Sequence, residues 1–226
     1  MGSYVLNFDF VFDNLGILLQ GIVITLKLTA ISGFIGIVVG FFVSLLAMSP
    51  YKFIRWPTIA YIEIFRCTPA LVQLVWIFYC VPIFLGIYID PIPMAILALS
   101  LNIAAYNAEA YRAAIQAIPS SHHDASIALG LTKRVYTLYV VFPQAFITAI
   151  PVLMTNMIGL LQQSALVAIV GIADLMYQAK NLATSSYRPI EVFTVAAVIY
   201  FMLSIPFSLL VTHLEKVLNR RIRGRS

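Results

Sequence analysis

Residues 28–51 read LTAISGFIGIVVGFFVSLLAMSPY, twenty-four in a row without a charge. A helix needs about 20 predominantly apolar residues to cross the roughly 30 Å hydrocarbon layer of a bilayer. This stretch is long enough, and four further charge-free runs follow it: Cys67–Ile89, Pro91–Ala108, Val135–Ala173 and Val192–Leu214. Three of these, of 23, 18 and 23 residues, fit one span each. The 39-residue run Val135–Ala173 holds either one long helix with an irregular end or a tight hairpin of two.

Composition says the same for the whole chain. Of 226 residues, 62% are hydrophobic and 10% charged, with a mean hydropathy of +0.96. Soluble domains carry roughly 45–50% apolar and about 25% charged residues. A chain this short cannot hide such an excess in one core, so soluble and disordered classes are excluded. Cys67 and Cys80 lie near or within one apolar stretch, and His122, His123 and His213 are scattered. Neither set suggests a disulfide framework or a metal site. No cleavable leader is expected, because the first apolar stretch is long and lacks a basic start.

Charge asymmetry orients the spans. The first 26 residues contain Asp9 and Asp13 but no Lys or Arg, whereas the tail, about residues 215–226, contains Lys216, Arg220, Arg221, Arg223 and Arg225. The positive-inside rule places the N-terminus outside and the C-terminus in the cytoplasm, so the number of spans is odd, and five fits. The expected fold is an all-α membrane protein of about five transmembrane helices, a single transmembrane domain over residues 1–226. Leu15–Leu26 makes the first helix too long to stand upright, so an interfacial or protruding extension is expected there, with Lys27 snorkelling. Gly36 and Gly40 form a G-x-x-x-G suited to close helix packing. Pro69, Pro82, Pro151 and Pro206 fall within expected spans, where kinks are tolerated if neighbours satisfy the freed carbonyls. Tyr51, Trp56 and Tyr88 sit near run ends, as an aromatic belt requires.

Between the third and fourth spans lies a loop of polar and small residues, about 116–143. Pro119-Ser120-Ser121 reads as a helix start, and Ser121 with Asp124 resembles a capping box. Ala125, Ala128 and Leu129 share one face. Gly130 is a natural stop, and Thr132 is placed to cap a second helix from Lys133 toward the membrane. Only Lys133 and Arg134 are basic there, so nucleic acid is not the partner.

The spacing in this loop resembles the signature of the permeases of ATP-binding-cassette (ABC) importers. His123-Asp124-Ala125-Ser126-Ile127-Ala128-Leu129-Gly130 is followed, nine residues on, by Val140-Val141-Phe142-Pro143. The signature reads Glu-Ala-Ala, three residues, Gly, nine residues, Ile-x-Leu-Pro. Here Asp replaces Glu, Ser the second Ala, and Val and Phe the Ile and Leu. Glu63-Ile64-Phe65-Arg66-Cys67-Thr68-Pro69-Ala70-Leu71-Val72-Gln73 is similar to a segment of the polar amino acid permeases, with Cys67 where Gly is usual. Ala105–Arg112, Gln116–Pro119 and Tyr187–Val192 are similar to the same subfamily, so the likeness runs from about Leu18 to Lys216.

The resemblance implies a transmembrane permease subunit of an ATP-driven importer for a polar amino acid or a related solute, in a bacterial plasma (inner) membrane. It implies a cytoplasmic ATPase dimer that holds ATP and Mg, a second permease, identical or related, and an extracytoplasmic solute-binding protein. No cofactor is implied in this chain, and no enzyme activity; the chain also lacks the phosphate loop G-x-x-x-x-G-K-[ST]. Asp124, Ala125, Ser126, Ala128, Leu129, Gly130 and Pro143 would form the element that couples to the ATPase, with Asp124 placed to polarise or pair with it.

The solute path is read from polar groups in apolar runs. In the subfamily the fourth span carries Lys-Asp-Thr-Ser-Leu, and the matching residues here are Gln162-Gln163-Ser164-Ala165-Leu166. Neutral amides in a span are costly unless partnered, so Gln162, Gln163 and Ser164 face a path or the other permease, or bond between helices. Asn102 on the third span has similar standing. Arg66, Glu63 and Glu109 suit structural ion pairs near cytoplasmic ends of spans, and His122 and His123 suit a surface helix start. The rival reading is a subunit of a secondary transporter or channel for a small polar solute. It predicts ionisable residues at mid-span and an inverted repeat, and the charge-free run centres argue against it.

Overall fold

The computed structural model of the chain describes residues 6–223, with side chains through Lys216. The arginines of the basic tail therefore lie outside the described side chains. Among the described residues there are helices and no strands. A short α1 (Asp9–Asp13) leads into α2 (Leu15–Ala47), then α3 (Lys52–Cys67), α4 (Ala70–Leu85) and α5 (Pro91–Gln116). The loop region contributes α6 (Ser120–Ala128) and α7 (Lys133–Tyr136), and a π-helical turn, Thr137–Val141, joins α7 to α8 (Phe142–Gln163). A 3₁₀ segment, Ser164–Val170, then α9 (Leu175–Ser186) and α10 (Pro189–Arg223) complete the order.

Four stretches are long and apolar enough to cross a membrane singly: Leu15–Ala47, Pro91–Gln116, Lys133–Val170 and Pro189–Lys216. The 39-residue run is thus one long helix with an irregular end, not a hairpin. The run expected as the second span is instead a helix pair, α3 and α4, bent by 113° at Thr68–Pro69. Each arm has 16 residues, about 24 Å at 1.5 Å per residue. Two such arms bent by that angle reach roughly 26 Å from end to end. That nearly matches the ~30 Å hydrocarbon layer, so by length the pair can serve as one broken span.

Proline and two amides explain the break. Pro69 has no N–H to offer the Phe65 carbonyl, its helical partner. Gln73 Nε2 supplies the missing donor, at 2.9 Å to Phe65 O and 3.0 Å to Thr68 O. The Thr68 hydroxyl turns back to donate to Ile64 O at 2.6 Å. From α5, Asn102 Nδ2 donates to Gln73 Oε1 at 2.7 Å. The freed carbonyls of the break are thus satisfied by protein, as a span in lipid requires.

Helices α2 and α5 form the most intimate pair. A Cβ at Gly40 would lie 2.8 Å from Asn107 Cβ and 2.9 Å from Ala104 O, and one at Gly36 would collide with Ile103. The G-x-x-x-G therefore serves helix packing. One core gathers Leu28, Leu74, Ile77, Met94, Leu99 and Leu160. A second, around Leu18, Leu175, Leu182 and Val192, joins the start of α2 to α9 and α10. The expected interfacial or protruding extension at Leu15–Leu26 has one of its faces packed by this second core, so it does not protrude freely. Leu18 is fully buried, and Gly21 lies so close to the Asp174–Leu175 backbone that a Cβ would sit 2.7 Å from Leu175 Cα. One face of the extra turns of α2 is covered by protein, while Leu19, Val23 and Leu26 stay exposed.

Candidate functional site

The loop between α5 and α8 folds as a short helix held out from the bundle. Pro119 precedes α6 in an extended conformation and Ser120 is its first helical residue. Ser121 therefore lies inside the first turn, and the expected Ser121–Asp124 capping box does not form; no side chain caps this end. At the other end Gly130 adopts φ +66°, a left-handed conformation that a β-branched residue resists. It sends the Leu131 N–H back to Ser126 O at 3.0 Å. Thr132 then caps α7, its hydroxyl accepting from Val135 N at 3.4 Å.

Ser126 is the buried member of α6, and its hydroxyl donates to His123 O at 2.7 Å. The His123 ring packs on Tyr136 of α7, 5.4 Å between centroids. Asp124, Ala125, Ala128 and Leu129 remain exposed. Leu129, 75% exposed, continues the bare face of Ala125 and Ala128, so the helix presents an apolar ridge with no cover among the described residues. Pro143 stands in the first turn of α8, directly after the π-helical turn. Its ring crowds the carbonyl four residues earlier, and a widened turn is one way a helix makes room without breaking. Pro143 thus marks the joint between the loop and the span.

The residues expected on the solute path do not converge on one spot. Ser164 is fully buried and donates to Leu161 O at 2.7 Å, closing its own helix end. Asn102, 4% exposed, is committed to Gln73 at the break in the second span, and its Oδ1 is buried without a partner. Gln163 Oε1 is likewise buried and unpartnered. The Gln162 side chain is exposed and lines a cavity of about 350 Å³ with Ala165, Met176, Phe193, Ala197 and Tyr200. Two free amides thus stand together where α8 gives way to the 3₁₀ segment.

Other polar residues went unnoticed in the sequence. Asp174 is fully buried and caps α9, accepting from Tyr177 N at 2.9 Å. Tyr200 of α10 donates to its other oxygen at 3.3 Å, and the adjacent Leu175 N–H donates to Thr25 of α2 at 3.2 Å. Burial pushes the Asp174 carboxyl up to about 6, against the pull of its backbone and hydroxyl donors. A lone acid ending a long apolar run, followed by a helix, was the available signal. Asn156 of α8 donates to Asn107 of α5 at 2.9 Å, a pairing that spacing alone does not reveal. The expected ion pairs do form. Arg112 Nε donates to Glu109 at 2.8 Å, and Arg66 lies 3.9 Å from Glu63.

With this geometry in view, the comparisons are specific. Residues 33–224 match the family described as binding-protein-dependent transport system inner membrane component. The chain belongs to that family. The permease is 33% identical to the arginine transport system permease protein ArtQ of Bacillus subtilis, over 97% of this chain and 98% of the relative. It is 32% identical to the glutamate/aspartate import permease protein GltK of Escherichia coli, over 94% and 98%. Its fold matches a chain in the crystal structure of an amino acid ABC transporter with histidines, with a TM-score of 0.89 and 35% identity, covering 94% of this permease and 99% of that chain. The permease is accordingly a multi-pass integral membrane protein and a transport component rather than an enzyme. This weighs against the reading as a secondary transporter or channel.

Proposed function

We propose that the permease forms part of the translocation path of an ATP-driven amino acid importer and couples that path to ATP hydrolysis in a separate subunit. The observation that carries this reading is α6, a helix tied to α7 through His123–Tyr136 yet leaving Ala125, Ala128 and Leu129 bare. Such a ridge suits a groove on an ATPase, with Asp124 beside it to pair with the partner surface. ATP and Mg belong to that partner, and this chain needs no cofactor of its own. The α6 end is then cytoplasmic and the N-terminus outside, in a bacterial plasma membrane. A second permease, identical or related, completes the path, and an extracytoplasmic binding protein delivers the solute.

Gln162 and Gln163 line the path in this reading. Amides both donate and accept, and an exposed amide at membrane depth calls for a polar neighbour. They suit a zwitterionic or uncharged polar solute better than one with an uncompensated charge. The test is reconstitution of the complete transporter in proteoliposomes with Gln163→Leu. Uptake should fall while the ATPase stays bound, because the loop at 116–143 is untouched. Normal uptake over a range of solute concentrations would make Gln163 packing only.

A further inference from the structure

The break between α3 and α4 lies deep in the bundle, and α5 gives its depth. Helix α5 has 26 residues, about 39 Å at 1.5 Å per residue, and is long and apolar enough to cross a membrane. Asn102 therefore sits roughly 17 Å from the Pro91 end and about 21 Å from the Gln116 end. Its amide donates to Gln73 at 2.7 Å, and Gln73 in turn holds Phe65 O and Thr68 O. Tyr61 donates to Leu101 O at 2.6 Å. The break is thus pinned to the middle of a spanning helix. From there α3 runs beside α5 toward the α6 end, where Ile62 packs with Ala108 and Ala47.

The side chains at that depth do not suit lipid. Arg66, Cys67, Thr68 and Pro69 are all exposed. Glu63 and Arg66 pair at 3.9 Å, with side chains 57% and 35% exposed. These charges also reach α5, Glu63 acting on Arg112 and Arg66 on Glu109. Lys52, Arg55, Glu63 and Arg66 share one face of α3, and the exposed Phe53, Pro57, Ala60 and Ile64 share another. The second face suits lipid; the first does not. Charges at depth face a bundle interior or a water-filled cavity, and non-helical backbone is tolerated there only in the same surroundings.

The charged face already borders such a space. A cavity of about 610 Å³ opens at the α6 end between α2, α3 and α5. Its lining runs from Met48, just past the end of α2, to Glu63, less than two turns short of the break, and includes Arg55, Glu109 and Arg112. Glu109 and Arg112 pair with each other, as Glu63 and Arg66 do. Charges paired within the chain need no countercharge from a ligand, but exposed ones do need solvation.

We infer that α3 turns its charged face to a water-filled vestibule, open at the α6 end and ending near mid-membrane at the Thr68–Pro69 elbow. The second span then crosses as a two-faced arm, wet on one side and lipid-covered on the other, joined to the charge-free arm α4. That this vestibule is the inner half of the solute path rests on the transport reading above; its hydration does not.

The chain has two cysteines, Cys67 and Cys80, and Cys67 is an exposed thiol at the elbow. In a Cys80→Ser background it reports on water there, since the thiolate is the reactive form. Full-length permease in sealed membrane vesicles of either orientation is treated with a charged, membrane-impermeant methanethiosulfonate. The thiolate displaces sulfinate and forms a mixed disulfide. In a cysteine-free background, Ser120→Cys marks the α6 side. Cys67 should be modified from that side alone. Glu63→Cys should also react, whereas Ile64→Cys, on the lipid face, should stay unmodified. Three results would overturn the inference. Cys67 that reacts only after denaturation would put lipid or the second permease over the elbow. Reaction from the opposite side would reverse the vestibule. Ile64→Cys reacting as fast as Glu63→Cys would lay α3 on the membrane surface. None of these measurements needs ATP or uptake, so their failure is separable from failure of the transport reading. The path role has its own readout: modifying Cys67 in the reconstituted complete transporter should abolish uptake while the ATPase stays bound, and unchanged uptake would take the vestibule off the path.

Discussion

Replacing Gln73 by Leu should destabilise the permease more than replacing Asn102 by Leu, although both remove one buried amide. The difference follows from what each leaves behind. Gln73 Nε2 reaches Phe65 O and Thr68 O across the break, and its Oε1 accepts from Asn102. Its loss orphans the Thr68 carbonyl and leaves Phe65 O and the Asn102 amide only their long 3.5 Å bond to each other. Leaving a buried polar group unpaired costs about 1–3 kcal/mol, whereas a side-chain hydrogen bond between membrane helices averages about 0.6 and reaches about 1.7 kcal/mol. Gln73→Leu should therefore cost about 2–4 kcal/mol and Asn102→Leu about 1 kcal/mol. The double variant should cost less than the sum, since Gln73→Leu already frees Asn102. Equilibrium unfolding of the bilayer-reconstituted protein measures all three. Cys67 gives a local check, because it is an exposed thiol one residue before the break. In a Cys80→Ser background, maleimide should label Cys67 faster in the Gln73 variant. Equal costs for the two single variants, or strict additivity, would refute the account of Gln73 as a stand-in for the Pro69 amide.

Gly130→Val should lower transport and transport-coupled ATP hydrolysis while membrane insertion persists, because φ +66° costs a β-branched residue about 1–3 kcal/mol; coupled transport assays beside an insertion assay check it. Asp174 predicts a pH dependence of stability. Its folded value of about 6 lies above the ordinary carboxylate value, so its stabilising contribution is complete below about pH 4 and is lost as pH rises through about 6. The change is about 3 kcal/mol for a shift of this size, and Asp174→Asn should flatten that part of the stability profile measured from pH 4 to 7.

The spans were legible because charge-free length reads solvation directly. Runs 28–51, 91–108 and 192–214 each fall largely within one helix. The docking loop was legible too, since Gly130 and Thr132 act locally and need no distant partner. The second span was not. Counting charges located the apolar stretch after Cys67 but said nothing of chain direction, and the consequence of Pro69 depends on Gln73 and Asn102, which meet it only in the fold. The start of α2 was misread for a related reason: Gly21 looks like any small residue until α9 is packed against it. Of the residues expected on a solute path, Gln163 keeps a buried oxygen without a partner, while Asn102 is bonded to Gln73.

The broken span also sets an order on how the chain enters the bilayer as it is synthesised. At about 24 Å, neither 16-residue arm is long enough to cross alone. The first arm carries Lys52, Arg55, Glu63 and Arg66, each costly at depth by up to about 3 kcal/mol if unpartnered. The apolar second arm can settle early. Gln73 supplies the donors at the junction, but its own Oε1 waits for Asn102, 29 residues further on. The last hydrogen bond at the bend is therefore made only once half of α5 is in the membrane, so this segment is completed backwards, by a helix made after it.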